Sequence, residues 1–153
     1  MLDAKDNEEH SYLEIAYALA QYSAAPDDDM IELWRRIIFT VMISNVDDHL
    51  RNHGFLYDSC KGWRLSPAYD MNPTPLQIKA PILATSIGLD DASASLEIAM
   101  SVCNEFRVPV EKAYTIIKEV GEAVSQWSQV ASRLGLSRRE CDRMASAFEY
   151  TRL

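Results

Sequence analysis

The stretch Ile43-Ser44-Asn45-Val46-Asp47-Asp48-His49-Leu50-Arg51-Asn52 lies between a long apolar helical pattern and a run of strand-forming residues. Asn45, Asp47, Asp48, His49 and Asn52 crowd acid, amide and imidazole groups into eight residues. Downstream, Gly54-Phe55-Leu56-Tyr57 and Trp63-Arg64-Leu65 are β-prone runs flanking Asp58-Ser59-Cys60-Lys61-Gly62. That arrangement predicts a hairpin with a five-residue turn. Leu65-Ser66-Pro67-Ala68-Tyr69-Asp70 then places another carboxylate just past a strand. Because a hairpin folds its two ends together, Asp70 is expected close to Asn52. Acid and amide oxygens meeting there suit a hard divalent cation such as Mg²⁺.

Upstream, Ile31, Leu33, Trp34, Ile37, Ile38, Val41 and Met42 make a helix that is apolar over much of its circumference. Such a helix is expected at the centre of a domain. Asp27, Asp28 and Asp29 supply its expected N-cap and first-turn acids. Before Pro26, the stripe Tyr12, Ile15, Ala16 and Leu19 predicts a first helix. Pro67, Pro73, Pro75 and Pro81 make the chain from 66 to about 90 a loop region. Helical period returns through Leu96, Ile98, Ala99, Val102, Cys103 and Phe106, and again from Val110 to Arg133. Ser137 to Glu140 is a capping-box pattern opening a last helix that runs to about Tyr150. The fold class is therefore mainly α with one small β-hairpin, a single domain over 1–153 with a polar tail over 1–10.

The order of the polar groups carries the chemistry. An acid, four intervening residues, an Asn, a hairpin and then an acid is the order found in a protein-kinase catalytic core. There the first Asp accepts the proton of the substrate hydroxyl, while the Asn and the later Asp hold metals that bridge the nucleotide phosphates. The step from Asp47 to Asn52 fits that spacing and the step from Asp48 does not. Asp47 is the candidate base, and Asn52 and Asp70 are the candidate metal ligands.

Asn45-Val46-Asp47-Asp48-His49-Leu50-Arg51-Asn52-His53-Gly54-Phe55-Leu56, followed by Leu65-Ser66-Pro67-Ala68-Tyr69-Asp70-Met71-Asn72-Pro73, resembles the signature of the HipA-like serine/threonine kinases. The resemblance covers nearly the whole chain and implies the helical C-terminal lobe of a protein-kinase-like fold. It also implies ATP as phosphoryl donor, Mg²⁺ as cofactor and a protein serine or threonine as acceptor. By position it makes Asp47 the catalytic base, His49 a supporting residue of the catalytic loop, and Asn52 and Asp70 the Mg²⁺ and nucleotide-binding residues. Relatives of this kind are bacterial toxins paired with antitoxins, so an antitoxin is an implied partner. The chain departs from that pattern upstream. Its first 46 residues contain no glycine, and Lys5 is the only lysine before the motif. A phosphate-covering lobe is thus expected to be absent, or supplied by a separate chain, and activity without it is expected to be negligible. The alternative is a non-catalytic binding module that engages an antitoxin or a companion lobe.

Other features bound these readings. With 153 residues, 48% of them apolar and 25% charged, the chain can bury a core of its own. A net charge of −8 argues against broad phosphate neutralisation of nucleic acid. Cys60, Cys103 and Cys141 lack zinc-ligand spacing and read as free thiols of a cytoplasmic protein. No apolar run approaches the roughly 20 residues of a membrane span, and no signal peptide is expected. Asp and Asn are also ordinary turn residues. His49 and His53, four apart, allow a transition-metal reading, although a third strong ligand at suitable spacing is missing. His49 reads better as a group orienting its neighbours. Tyr69 is expected to pack under the loop, Trp34 and Trp127 to lie in the core, and Trp63 to cover the hairpin. Met71-Asn72 stands where eukaryotic kinases have Phe-Gly. Val130 to Met144 has helix-turn-helix grammar, but a helical hairpin closing the domain is the better account.

Overall fold

Capping chemistry sets the first two helices of the computed structural model, which describes residues 10–89 and 91–152 and, at the C-terminal end, side chains to 150. Ser11 caps α1 (Tyr12–Tyr22) by accepting from the Leu13 N–H at 3.1 Å, and Glu14 accepts in return from the Ser11 N–H at 3.0 Å. The predicted stripe is buried: Tyr12, Ile15, Ala16 and Leu19 all face the core. The aspartates do not cap α2 (Pro26–Met42). Ala25 stands at the cap without a side-chain bond, Pro26 takes the first helical position, and all three acids fall inside the first turn. Proline is favoured there because its missing N–H has no helical partner to lose.

α2 is the central element, as its apolar circumference predicts. Leu33, Trp34, Ile37, Ile38 and Val41 are fully buried, and the helix touches α1, α4 (Val110–Val124) and the 3-10 segments Cys103–Phe106 and Ala145–Arg152. It ends in a Schellman arrangement. The Asn45 N–H reaches Thr40 O at 2.9 Å, the Ser44 N–H reaches Val41 O at 3.2 Å, and Ser44 takes the left-handed position with φ 52°. A glycine is usual at that position. Here a serine with a Cβ turns the chain sharply into the polar stretch.

The hairpin is tighter than expected. β2 (Phe55–Asp58) and β3 (Gly62–Leu65) pair antiparallel from Phe55↔Leu65 to Asp58↔Gly62, so the turn is only Ser59, Cys60 and Lys61. The Asp58 carboxylate accepts from the Cys60 N–H at 2.8 Å, and Gly62 has φ 89°, a conformation that favours glycine. A second sheet escaped the sequence pattern. β1 (His10–Ser11) pairs in parallel with β4 (Thr85–Ser86), strands too short to show alternation. Of the expected tail, His10 therefore belongs to a strand, and the remainder lies outside the described residues.

The later helices are more broken than their period suggested. The 96–106 pattern is α3 (Leu96–Ser101), capped by Ser95, followed by the 3-10 turn Cys103–Phe106 and a left-handed Arg107. The helix expected over 110–133 divides into α4 and α5 (Trp127–Arg133). Ser125 and Gln126 side chains both bond to Glu122 O, at 2.8 and 3.4 Å, offering that carbonyl a side-chain donor at the break. The Ser137–Glu140 capping box opens α6 (Arg138–Met144), and the chain then tightens into the 3-10 segment Ala145–Arg152. Trp34 is core, whereas Trp127 is half-buried and stacks on Phe148 at 4.4 Å. Cys60 is exposed, Cys103 buried and Cys141 half-buried, and all are free thiols. No helix among the described residues is long and apolar enough to cross a membrane.

Candidate functional site

α2 positions both halves of the site. Its C-terminal turn delivers residues 44–54, and its side chains hold the exit of the hairpin. Asp29, on the first turn, takes a two-pronged pair from Arg64 with distances of 2.8 to 3.1 Å, together with the Leu65 N–H at 3.0 Å and the Ser23 hydroxyl at 2.6 Å. Burial pushes the Asp29 pKa up. The bonds from Arg64, Ser23 and the Leu65 N–H outweigh that and hold it below the usual value. Two turns on, the buried Arg36 donates to Ser66 O at 2.7 Å. Both contacts fix the strand that leads to Asp70.

The neighbouring aspartates have opposite surroundings. Asp47 projects outward with 64% of its side chain exposed, whereas the Asp48 side chain is 3% exposed. Asp48 Oδ2 accepts from the Tyr12 hydroxyl at 2.5 Å, lies 3.1 Å from His53 Nε2, and is 3.5 Å from the Thr40 hydroxyl. The Asp48 carbonyl accepts from the Thr85 hydroxyl at 2.7 Å, and the Ala84 N–H reaches Val46 O at 3.1 Å. One buried carboxylate thus gathers α1, α2 and residue 53, while its backbone is held beside β4. Burial, and then the negative charge of Asp48, push the Tyr12 hydroxyl well above its ordinary pKa and keep it a donor. Sequence spacing gave no sign of this centre, because Tyr12 and Asp48 are 36 residues apart and Tyr12 reads as part of an apolar stripe.

The anchored loop displays the candidate residues. His49 Nε2 lies 3.4 Å from Asp47 Oδ1, so His49 sits where it can orient the candidate base. The Asn52 amide donates to the Asp47 carbonyl at 3.4 Å, which leaves its Oδ1 as the group able to meet a cation. His53 bonds to Asp48 rather than Asp47, so the two histidines serve different carboxylates instead of converging on one metal. Asn45 is sealed in the interior at 1% exposed, and Asn52, at 8%, is itself largely buried.

The second half returns alongside. The Ser66 N–H bonds to Gly54 O at 2.8 Å, extending the hairpin by one rung. A Cβ at Gly54 would stand 3.2 Å from Ser66 Oγ and 3.6 Å from the Tyr69 hydroxyl, so glycine permits the close approach. Tyr69 is not packed under the loop. It is 47% exposed and donates to Arg51 O at 2.7 Å. The residue before Asp70 is therefore bonded to the residue before Asn52. Asp70 itself is exposed, adopts a left-handed φ of 57°, and accepts from the Asn72 amide at 2.8 Å. Non-glycine residues in that conformation are uncommon and cluster at functional sites.

One residue of the site was not anticipated. Lys79 Nζ lies 2.9 Å from Asp47 Oδ1. Its hydrogen bond is the main reason that the Asp47 pKa is lowered, with Lys79 charge and His49 adding to the effect and burial opposing it. Nothing in the spacing of a lysine 32 residues away in a proline-rich loop marks it as a neighbour of Asp47.

A model of the HipA-like C-terminal domain matches residues 1–128. A protein of Haemophilus influenzae, named "Putative kinase", is 35% identical over 83 residues, covering 52% of this chain and 24% of that protein. The matched stretch spans about a quarter of the relative's length.

Proposed function

This chain belongs to the HipA-like C-terminal domain family, and from that premise we propose that it is the catalytic lobe of a protein serine/threonine kinase. The observation that carries the reading is an exposed Asp47 on an anchored loop bonded to Asn52, with the segment that leads to the exposed, left-handed Asp70 tied to the same loop by Tyr69 on Arg51 O. The donor set fits a hard divalent cation: the amide oxygen of Asn52 and the carboxylate of Asp70 are the ligand types that Mg²⁺ takes beside nucleotide phosphates. Bound there, Mg²⁺ would neutralise charge on the phosphate oxygens.

The chain's own residues do the positioning. Asp47 accepts the proton of a serine or threonine hydroxyl as the hydroxyl oxygen attacks the γ-phosphorus of ATP. The bond from that phosphorus to the bridging oxygen breaks, and ADP leaves with the electron pair. His49 and the Asn52 amide hold the Asp47 side chain and backbone in place. Asp48 fixes the loop from below without touching substrate. Catalysis of this kind rests on placement and charge rather than on a covalent intermediate.

The test is transfer of label from γ-labelled ATP with Mg²⁺ to protein, using the polypeptide as its genome encodes it together with the phosphate-covering lobe where that is a separate chain. Asp47→Asn should lower the rate by about 10²- to 10⁴-fold, the range for loss of a general base, with folding intact because the side chain is exposed. A variant as active as the wild type would refute the assignment of the base. The binding-module reading draws on a different observation: Leu56, Tyr57 and Trp63 present apolar side chains on the hairpin, Tyr57 and Trp63 in contact at 5.1 Å. It predicts binding of a companion lobe that is insensitive to Asp47→Asn.

A further inference from the structure

Lys79 reaches Asp47 from a loop that is tied down on both sides. Ahead of it, the Ile78 N–H closes a turn on Pro75 O at 2.9 Å, and the Leu76 N–H donates to Ser146 Oγ at 3.1 Å. Ser146, itself buried, donates to Gln77 Oε1 at 2.7 Å, so the 3-10 segment after α6 grips the loop at two adjacent residues. Beyond it, Leu83 is buried and the Ala84 N–H bonds to Val46 O, one residue before Asp47. The loop is thus anchored to the C-terminal segment on one side and to the Asp47 loop on the other. Lys79 is the part that spans the gap, its side chain 55% exposed.

A solvent-exposed lysine–carboxylate pair contributes little to folding. The contact therefore needs a reason other than stability. Asp47 Oδ1 is taken by Lys79 at 2.9 Å and faces His49 at 3.4 Å, which leaves Oδ2 as the oxygen open to an acceptor hydroxyl. An ammonium on one oxygen of a base sets the carboxylate's rotation and keeps a positive charge beside the point where phosphoryl charge develops.

We infer that Lys79 is a positioning residue of the phosphoryl-transfer site, holding Asp47 Oδ1 so that Oδ2 faces the attacking hydroxyl. The inference rests on the reading of Asp47 as the base. It adds the loop 75–84 and its anchor Ser146 to the parts that place that base.

Steady-state transfer from γ-labelled Mg²⁺–ATP to protein tests it, in the encoded polypeptide together with the phosphate-covering lobe where that is a separate chain, comparing wild type, Asp47→Asn, Lys79→Met and Lys79→Arg. Misplacement of a reacting group by about 1 Å lowers rates by about 10²-fold, so Lys79→Met should lose about 10- to 100-fold in kcat with KM for ATP within about twofold. Lys79→Arg, which keeps the charge and the reach, should recover most of that loss. A change confined to stability would leave the kcat-to-KM split unmoved and would not depend on charge. Lys79→Met with wild-type kcat, or with raised kcat because the lysine blocks the base, overturns the inference while leaving the kinase reading intact. Absence of Asp47-dependent transfer in the wild type overturns both, and the Asp47→Asn control separates the two failures.

Discussion

The loop 44–54 and the segment 66–80 each carry one half of the site, yet they are built in opposite ways. The first is held from beneath by a buried carboxylate, with Tyr12, His53 and Thr40 on the Asp48 side chain and Thr85 on its carbonyl. The second lies mostly in solvent and is held at spaced points: Arg36 on Ser66 O, Tyr69 on Arg51 O, Ser146 on Leu76 and Gln77. Buried polar networks are costly to break and so define one geometry. Single bonds at spaced points, of which Tyr69 on Arg51 O is the exposed one, are worth less than a connected network and yield more easily. On the proposed kinase reading the contrast suits phosphoryl transfer, in which a base would have to stand still while an acid meeting a metal adjusts to the nucleotide.

Substitutions can break this contrast at graded strength. The largest effect belongs to Asp48→Ala, which leaves the Tyr12 hydroxyl and His53 Nε2 buried without their acceptor. Urea unfolding should show a loss of about 3 kcal/mol, the scale of stranding buried polar partners; a loss below about 1 kcal/mol would mean that the loop is not anchored as described.

Asp29 comes next, because it fixes the root of the second segment through Arg64 and the Leu65 N–H. Asp29→Asn should cost about 2 kcal/mol at pH 7, the worth of charge-assisted bonds at a buried acid. The folded pKa of Asp29 is lowered from 3.8, so its contribution is fully present above that value and fades as pH falls through the folded pKa. Unfolding curves for wild type and variant should therefore converge in acid; a gap that stays constant down to pH 2 would contradict the assignment.

Tyr69→Phe acts on the exposed segment alone. It should change global stability by no more than about 1 kcal/mol, the net value of one hydrogen bond, while weakening Mg²⁺–ATP binding severalfold as the Asp70 segment loosens. Equal nucleotide affinity would show that the Arg51 contact does not set the second half. Smallest, and opposite in sign, is Ser44→Gly at the left-handed turn after α2. Relief of the Cβ strain, offset by the entropy of glycine, should leave a gain of about 0.5 kcal/mol, measurable as a raised Tm.

The same contrast explains what the sequence made legible. Local chemistry came through: the helix stripes and the hairpin are written over short spans, and so is the order Asp47, Asn52, Asp70 on which the proposed site rests. The Ser137–Glu140 box is likewise local and forms as expected. Long-range chemistry did not come through. Tyr12 carries its hydroxyl inside an apolar stripe, and Asp48 looks like a spare neighbour of Asp47 until the fold brings α1 above it. Strands of two residues, β1 and β4, lie below the length at which alternation can be seen. The divisions at Val102 and Ser125 depend on side chains and 3-10 turns competing for backbone carbonyls within patterns that remain apolar-periodic throughout. Lys79 joins Asp47 only because Ser146 and Val46 hold its loop there.

The central proposal is that Asn52 and Asp70 together hold the cation that carries the nucleotide. Calorimetric titration of ATP, with and without Mg²⁺, into the encoded polypeptide and its Asp70→Asn variant, each joined by the phosphate-covering lobe where that is a separate chain, tests it most directly. The account predicts Mg²⁺-dependent binding that weakens at least about tenfold in the variant, the scale of one lost charge-assisted contact. Equal affinity in the two proteins, affinity independent of Mg²⁺, or no binding by either would contradict it.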